Sequence, residues 1–450
     1  MDNPFWTSLA SRNESSFASV GSFLHAPFSW DFDRNVQIGA FVESAFFPDD
    51  TPRSATYWLA EIVSRKSYYV RLRWLGGTDP NQDFWRNFGA FKEPFANQKD
   101  IRIHPVGWAK QNRKPFGPPD ALHIVDKRSY MRTHLGGKQV LAEDFHGVSE
   151  SENTCLFTPG VEVEVTDLAR VSAVKTAVVV GDIGRRVQFR YTDGSGFAYF
   201  HEFSDMFYAC GWARLHGREI SASPEDYYRR SLKEILGYNA PSDRASIFNF
   251  KPLLVPDSLA NELKLVKVET LIGAKLEIVD LLRPHCISVG RVKRILRNFY
   301  LMIEIDGNSA SDGSDDLCVH ISSPLLLPAG FASENGLERF FDPPYPGFDW
   351  SKETNVVPKK LLERVLPPHN FREGQFLEAV GITGSNKMYV ARVERVVKPL
   401  LRIHYEGFPH EDDIFMPISS TDIYPAGWCE MVGHELITPL SRRRARPGRR

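Results

Sequence analysis

The side chains best able to do acid–base chemistry in this sequence are its 13 histidines, and their setting argues against catalysis. His104 stands in the segment His-Pro-Val-Gly-Trp, which returns three times along the chain with another residue at or near the place of the histidine. A role that changes from copy to copy indicates packing rather than proton transfer. The chain also contains no H-E-x-x-H, G-x-S-x-G or P-loop pattern. We therefore expect a protein that is not an enzyme and needs no cofactor.

The thiols and carboxylates give equally little reason to expect a metal site. The cysteines are odd in number, scattered and without a C-x-x-C pair, so neither a disulfide framework nor a zinc site is expected. They are Cys155, Cys210, Cys286, Cys318 and Cys429. The acidic run Asp312–Asp316 resembles a calcium loop but lacks the full ligand spacing and the terminal glutamate. These patterns predict no resident metal and reduced thiols, as in an intracellular protein.

The overall charge gives no general reason to expect a nucleic-acid partner. The 450 residues carry a formal net charge of −1, whereas strong non-specific binding needs a cationic excess. The exception is the segment 441–450, whose six arginines indicate a solvated tail or a tail that contacts nucleic acid or import receptors. Neither a signal-peptide pattern nor a run of about 18 apolar residues is present, so we expect no membrane partner.

Two short motifs recur four times and divide the chain into units of similar length. The first motif ends in a glycine–aromatic pair, and its aromatic members are Trp108, Trp212, Phe331 and Trp428. The second motif precedes the first in each unit, opens around a glycine and ends in an apolar–Glu pair. Its copies are Ile38–Glu43, Pro159–Glu164, Ile272–Glu277 and Glu373–Glu378. The array predicts repeats at 1–120, 121–224, 225–344 and 345–440, followed by the basic tail at 441–450.

Between the two motifs each unit holds β-rich runs in which apolar and polar residues alternate. In the fourth unit these runs are Met388–Val397 and Leu400–Tyr405, which predict half-buried strands of a small barrel. The segments Tyr227–Leu236 and Lys359–Val365 lie between barrels and have helical periodicity. The predicted fold is therefore mostly β, with four tandem repeats, each a helical arm followed by a small five-stranded β-barrel core.

The two motifs resemble those of the malignant brain tumour (MBT) repeat family. The opening of the family repeat is almost intact at Gly374–Val380 and its close at Asp422–Cys429, and the resemblance extends from about Phe17 to Leu440. The four-repeat members of the family are the most similar. The resemblance implies a nuclear, chromatin-associated transcriptional repressor that binds methylated histone tails and nucleosomes, with other repressor-complex proteins as further candidate partners.

Methyl-lysine recognition in this family implies a cage of aromatic rings with one carboxylate. Each well-placed ring contributes on the order of 0.5–2 kcal/mol by cation–π attraction. The carboxylate accepts the remaining N–H of mono- or dimethyl-lysine, a bond that trimethyl-lysine cannot make. In the family pattern the acid follows the opening motif, and the aromatics lie at and just after the end of a later strand.

The fourth repeat keeps aromatic residues of this pattern but lacks the acid. Tyr405 and Phe408 match two aromatic positions, Asp412 stands where the third aromatic is expected, and Gly381 replaces the acid. We expect such a site to tolerate trimethyl-lysine, with Asp412 acting only as a distant charge.

The second repeat keeps the acid but few aromatics. Asp167 matches the acid, Tyr191 the first aromatic, and Phe197 lies close to the third, while Gly194 replaces the second. This is a partial cage, and the alternative interpretation is that Tyr191 and Phe197 are ordinary packing residues.

The first and third repeats are expected to be structural. In the first, the acid position falls near Phe46, and Trp74 is interpreted as a packing residue. In the third, Asp280 matches the acid but Ile305 stands at the first aromatic position, so no aromatic box is expected.

The resemblance thus predicts a non-enzymatic histone methyl-lysine reader whose cage lies in repeat 4 or repeat 2. The alternative is a protein–protein interaction scaffold with eroded cages that docks a repressor complex or a transcription factor. The two hypotheses differ in whether loss of the aromatic rings changes binding to histone peptides.

Overall fold

The computed structural model of the chain describes residues 4–12, 16–29, 32, 36–89, 101–141, 154–231, 268–307, 310–363, 366–381 and 386–439. The arginine-rich tail at 441–450 and the second half of the predicted helix Tyr227–Leu236 lie outside these ranges. Within them the protein is mostly β, and its helices are short. None of the described helices is long and apolar enough to cross a membrane.

The described strands form four sheets that share one antiparallel strand order. In each sheet the first strand lies between the long second strand and the short fifth strand, which gives the order 4-3-2-1-5 within the repeat. In the second, third and fourth sheets a further short strand pairs in parallel with the long strand. The runs Met388–Val397 and Leu400–Tyr405, predicted as strands, coincide with two strands of the fourth sheet.

The strands are numbered in chain order. The first barrel has β1 Phe41–Phe46, β2 Thr56–Lys66, β3 Tyr69–Trp74, β4 Phe84–Asn87 and β5 Ile103–His104. The second has β6 Glu162–Thr166, β7 Ala173–Ile183, β8 Arg186–Tyr191, β9 Phe197–His201, β10 Phe207–Ala209 and β11 Glu219–Ala222. The third has β12 Lys275–Val279, β13 Ile287–Ile295, β14 Tyr300–Ile305, β15 Leu317–His320, β16 Leu326–Leu327 and β17 Phe341–Asp342. The fourth has β18 Phe376–Val380, β19 Met388–Val397, β20 Leu400–Tyr405, β21 Ile414–Pro417, β22 Ile423–Tyr424 and β23 Leu436–Ile437.

The long second strand of each sheet is irregular at the same place. Its register with the third strand shifts between Ile62 and Ser64 in β2, and the equivalent shift is present in β7, β13 and β19. A bulge of this kind bends a strand and increases its twist. The repeated bulge lets each short sheet curl around an apolar core, and the core of the first barrel continues into residues of the fourth.

A buried glutamate connects the two sequence motifs in every barrel. Its two carboxylate oxygens accept the N–H of the motif glycine and the N–H two residues later, at 2.6–2.9 Å. The glutamates are Glu43, Glu164, Glu277 and Glu378, and the short helices that they cap are Trp108–Gln111, Trp212–His216, Phe331–Glu334 and Trp428–Val432. The glycine before each helix has a φ of 84–98°, which an L side chain rarely adopts. The carboxylate thus satisfies N–H groups that a helix start leaves without partners.

In three barrels an aromatic side chain from an arm donates a third hydrogen bond to the same carboxylate. The pairs are Tyr227 Oη to Glu164 at 2.5 Å, Trp350 Nε1 to Glu277 at 2.7 Å and Trp6 Nε1 to Glu378 at 2.9 Å. Tyr227 and Trp350 follow their barrels in the sequence, whereas Trp6 precedes Glu378 by 372 residues. One carboxylate therefore holds a barrel, a helix and an arm together.

The arms of the first three barrels follow their barrels in the sequence, whereas the sequence predicted that each arm precedes its barrel. The helix Lys127–Leu135 packs against Trp58 of the first barrel, and residue 356 forms a bridge to Lys275 of the third. The fourth barrel receives its arm from the start of the described chain, where the helix Pro4–Ala10 carries Trp6 and Phe17 forms a bridge to Phe376. The other helical segments are Val20–Ser22, Pro52–Ser54, Pro80–Gln82, Asp120–Leu122, Val268–Leu271, Arg297–Phe299, Glu338–Phe340, Trp350–Lys352, Lys359–Leu362 and His410–Asp412.

The fourth barrel contacts each of the other three. These contacts include Asn87 Nδ2 to the carbonyl oxygen of Gly427 at 2.8 Å, Arg186 to Asp422 at 2.8 Å, and the N–H of Phe415 to the carbonyl oxygen of Pro284 at 2.7 Å. Arg186 is almost fully buried, so its ion pair with Asp422 fixes the second barrel against the fourth. The fourth barrel is therefore held from several sides.

We predict that Trp6→Phe destabilises the fourth barrel. The substitution keeps an aromatic ring beside Phe17 and Phe376 but removes the N–H that bonds Glu378. Loss of one donor to a buried carboxylate costs about 1–3 kcal/mol. Denaturant unfolding followed by circular dichroism measures the change, with Ser8→Ala, at an exposed position of the same helix, as the control. An unchanged midpoint for Trp6→Phe would contradict the role given to this hydrogen bond.

We also predict that stability depends on pH through Glu277. Burial, opposed by its N–H donors, raises the pKa of Glu277 from 4.5 to about 7. Between these values the folded state binds more protons than the unfolded state, so stability falls as the pH rises through this window. The full effect is at most about 3 kcal/mol. Unfolding midpoints of the wild type and of Glu277→Gln should therefore diverge between pH 5 and 8, whereas Glu411→Gln, at an exposed position, should follow the wild type throughout.

Candidate functional site

The strand register defines three equivalent positions around the predicted cage of each barrel. The acid position lies three residues after the buried glutamate and holds Phe46, Asp167, Asp280 and Gly381 in the four barrels. The first aromatic position ends the third strand and holds Trp74, Tyr191, Ile305 and Tyr405. The third position, which we call the opposing position, lies on the second strand. Its residue pairs across the sheet with the residue directly after the buried glutamate. In the four barrels it holds Trp58, Lys175, Ser288 and Tyr389. These positions allow the four sites to be compared directly.

In the first barrel, aromatic side chains fill the site. Phe46 at the acid position contacts Trp74 edge-on, with ring centroids 5.8 Å apart, and Trp74 also packs against Phe84 at 4.6 Å. Trp58 at the opposing position is fully buried and donates its indole N–H to the carbonyl oxygen of Leu75. The aromatic side chains at this site therefore pack against one another, in the way that the sequence predicted for Trp74.

In the second barrel, the acid and the tyrosine are paired with a lysine of the same barrel. The Lys175 Nζ lies 3.5 Å from an Asp167 oxygen, 3.1 Å from an Asp193 oxygen and 5.4 Å from the centroid of the Tyr191 ring. Asp167 also accepts hydrogen bonds from the Ser221 hydroxyl at 2.8 Å and from the N–H of Ala169 at 3.0 Å. An ammonium group from this chain thus stands where an external lysine would meet the acid and the ring.

The structure brings Asp167 and Tyr191 together but places Phe197 elsewhere. Tyr191 is buried in the barrel core and donates its hydroxyl to the carbonyl oxygen of Thr166 at 3.0 Å. Phe197 pairs with Arg190 across the sheet, and its side chain is 51% exposed, whereas its neighbour Ala198 is buried. Because side chains alternate between faces, Phe197 lies on the opposite face of the sheet from Tyr191.

In the third barrel, the acid is paired with an arginine three residues away. Asp280 accepts a hydrogen bond from Arg283 Nε at 2.8 Å and another from the N–H of Leu282 at 2.9 Å. Ile305 at the first aromatic position is part of the apolar core. The acid position of this barrel is thus taken up by the Asp280–Arg283 ion pair, and its first aromatic position by a core isoleucine.

The fourth barrel brings three aromatic rings together. The ring centroids of Tyr405 and Phe408 are 5.9 Å apart, and Tyr389 lies 5.9 Å from Tyr405 and 5.4 Å from Phe408, with its ring plane 79° and 82° from theirs. Tyr405 is buried and donates its hydroxyl to the carbonyl oxygen of Val380 at 2.5 Å. Burial raises the pKa of Tyr405, so its ring is neutral at physiological pH. Tyr389 and Phe408 are half-buried, so they line the outer side of this group.

Tyr389 was not identified from the sequence, although its position in the register indicates its role. It belongs to the run Met388–Val397, in which it reads as one more residue of an alternating strand. Its equivalent in the second barrel is Lys175, which contacts the acid and the tyrosine there. Asp412 lies beyond Phe408 in the helical turn His410–Asp412, half-buried, with its N–H bonded to the carbonyl oxygen of Pro409.

The loop that carries Phe408 is fastened at its far end by Asp413. The buried Asp413 carboxylate accepts from His404 Nδ1 at 2.7 Å and contacts His410 Nδ1 at 3.1 Å and Arg402 at 3.2 Å. His404, His410 and Asp413 have the donor types of a metal site, and their ligand atoms lie within 4.8 Å of one another. Arg402 already balances the carboxylate charge and also donates to the carbonyl oxygen of His410 at 2.9 Å. We therefore interpret the cluster as a clamp that positions Phe408.

The pairing of Lys175 leads to a prediction about its reactivity. Although burial alone lowers the pKa of Lys175, its contacts with Asp193 and Asp167 raise it overall. Its amine should therefore react several-fold more slowly in reductive dimethylation than the amine of Lys352, which is 76% exposed. Time-resolved peptide mass spectrometry measures both rates in one sample. Equal rates would show that Lys175 does not occupy the site in solution.

Comparisons with known proteins agree with this architecture. The family model described as "mbt repeat" matches residues 49–123, 274–343 and 375–443. MBT domain-containing protein 1 of Xenopus tropicalis is 30% identical over 96% of this chain and 64% of the relative, and the Homo sapiens protein is 30% identical over 98% and 68%. Polycomb protein Sfmbt of Drosophila melanogaster is 31% identical over 96% of this chain. The chain thus spans about two thirds of the first two relatives and 36% of Sfmbt.

A solved structure shares the whole arrangement. The four MBT repeats of Drosophila melanogaster Sfmbt, in complex with the peptide RHR(me)KVLR, superpose with a TM-score of 0.83 and 29% identity, covering 96% of this chain and 98% of that one. The predicted four-repeat, mostly β fold is thereby confirmed. The chain belongs to the MBT repeat family.

Proposed function

We propose that this protein is a methyl-lysine reader whose binding site is the aromatic group of the fourth barrel. The observation that carries the proposal is the cluster of Tyr389, Tyr405 and Phe408, whose centroids lie within 6 Å of one another. Rings at steep mutual angles offer more than one face to a methylated ammonium, and each face contributes on the order of 0.5–2 kcal/mol. The reader acts by binding, without catalysis.

Comparison of the four sites favours the fourth barrel over the second. In the second barrel Lys175 already contacts both Asp167 and Tyr191, so an incoming lysine would have to displace it. In the fourth barrel the acid position is Gly381, so this position offers no carboxylate that could hold a lysine of the chain itself beside Tyr405. Asp167 and Tyr191 therefore serve, in this proposal, as structural parts of the array, and Phe197 lies on the other face of the sheet.

The absence of an acid at position 381 predicts the methylation state that is bound. Without a carboxylate to accept an N–H, mono- and dimethyl-lysine lose the charge-assisted bond that would favour them. We therefore propose that trimethyl-lysine is bound at least as well as the lower states. Asp412 contributes only distant charge, because its backbone is held in the turn beyond Phe408.

The relatives support a role in chromatin. One is a Polycomb protein, and its four repeats were solved with a methylated-lysine peptide. By extension, we propose that this chain binds methylated histone tails and nucleosomes in the nucleus and contributes to transcriptional repression.

A scaffold function is the second candidate, and one observation favours it. Side chains of the chain itself occupy the sites of the first three barrels, namely Phe46, Lys175 and Arg283. In that case the array chiefly docks a repressor-complex protein or a transcription factor, and the rings of the fourth barrel are packing residues.

The two functions are separated by removing the half-buried ring of the fourth barrel. Phe408→Ala should weaken binding of a trimethyl-lysine histone peptide by about 2- to 30-fold, as expected for one cation–π contact. The matched control is Phe197→Ala, which removes an exposed ring from the second barrel and should leave binding unchanged. Isothermal titration with the four methylation states measures both. If Phe408→Ala binds like the wild type, the scaffold function gains support and the reader site is wrongly placed.

A further inference from the structure

The opposing position varies together with the acid position across the four barrels. Where the acid position holds an aspartate, in Asp167 and Asp280, the opposing residues are Lys175 and Ser288. Where the acid position lacks a carboxylate, at Phe46 and Gly381, the opposing residues are the aromatic Trp58 and Tyr389. Four barrels with one strand register thus show two combinations, an acid with a non-aromatic partner and an aromatic partner without an acid.

Steric exclusion explains this pattern in the fourth barrel. A Cβ atom added to Gly381 would lie 2.5 Å from Tyr389 Cε2, closer than real Cβ atoms approach, and 3.2 Å from Tyr389 Cδ2, which is a tight contact. Gly381 does not have a positive φ, so its backbone conformation presents no obstacle to a side chain. The obstacle is the Tyr389 ring, which is in edge-on contact with Tyr405 and Phe408.

We infer that Tyr389 determines the methylation-state specificity of the fourth barrel by occupying the space of the missing acid. The inference rests on the proposed function of this barrel. The ring replaces a hydrogen-bond acceptor with an aromatic wall, so the site selects for a fully methylated ammonium rather than for one that retains an N–H. Specificity therefore depends on a strand residue outside the loop that carries Phe408.

The pattern also dictates how the specificity can be reversed. Gly381→Asp alone introduces a carboxylate against the Tyr389 ring, so it should weaken binding of every methylation state. Tyr389→Ser alone makes the position like Ser288 of the third barrel and removes one wall, so trimethyl-lysine binding should fall several-fold. Only the double variant Gly381→Asp/Tyr389→Ser provides an acid with the space that it needs, as in the third barrel.

The test measures binding of the full chain to peptides of the sequence RHRKVLR with an unmodified, mono-, di- or trimethylated lysine. The double variant should prefer mono- or dimethyl-lysine over trimethyl-lysine by about tenfold, the value of a hydrogen bond to a charged group. Tyr389→Phe keeps the ring and should retain the order of the wild type. The inference is overturned if the double variant also retains that order, or if Gly381→Asp alone reverses it.

Two further outcomes test the role of Tyr389, namely an unfolded double variant and a wild type that binds no peptide. If the thermal midpoint shows that the double variant is unfolded, the single variant Tyr389→Ser is decisive, because trimethyl-lysine binding equal to wild type contradicts a wall at this position. If the wild type binds none of the four peptides, the proposed function fails. In that case the double variant tests the inference about Tyr389. A gain of monomethyl-lysine binding by the double variant supports the inference, and no binding of any peptide overturns it.

Discussion

A buried carboxylate that accepts several N–H groups is the interaction on which this protein depends. Glu378 takes the first free N–H groups of the helix Trp428–Val432 and the indole N–H of Trp6, and the same arrangement recurs around Glu277. A charge without these donors would be costly to bury, and helix starts without the charge would leave N–H groups unsatisfied. The barrel, the helix and the arm are therefore stable only together.

This dependence explains why two sequence motifs far apart in each unit recur as a pair. The glutamate belongs to the first strand of a barrel and the glycine to the turn before its last helix, so neither has a function without the other. Glycine is needed because the capped turn has a positive φ, as at Gly427 with 96°. The pairing predicted the number of barrels and their order from sequence because both partners lie within one repeat.

Contacts that depend on register could not be predicted in the same way. Tyr389 and Lys175 are inconspicuous in alternating strands, and only the pairing of Ala379 with Tyr389 and of Val165 with Lys175 shows that they face the cage. Sequence spacing favours Phe197 as a cage residue, but neighbouring residues of a strand point to opposite faces of the sheet. A shift of one residue is therefore enough to place a side chain on the wrong face. The arm of the fourth barrel could not be predicted either, because no residue near Trp6 in the sequence identifies Glu378 as its hydrogen-bond partner.

The hydrogen bond between Trp6 and Glu378 also has a consequence for biogenesis. The two residues are separated by 372 positions, so the arm emerges from the ribosome long before the barrel that it completes. At about 5–20 residues per second, the indole waits on the order of 20–70 s for its acceptor. During synthesis the indole N–H thus lacks its acceptor until the fourth barrel forms, although Tyr69 of the first barrel, which packs in the same apolar cluster as Trp6, is made much earlier. The barrel with the candidate reader site is the last of the four to be synthesised.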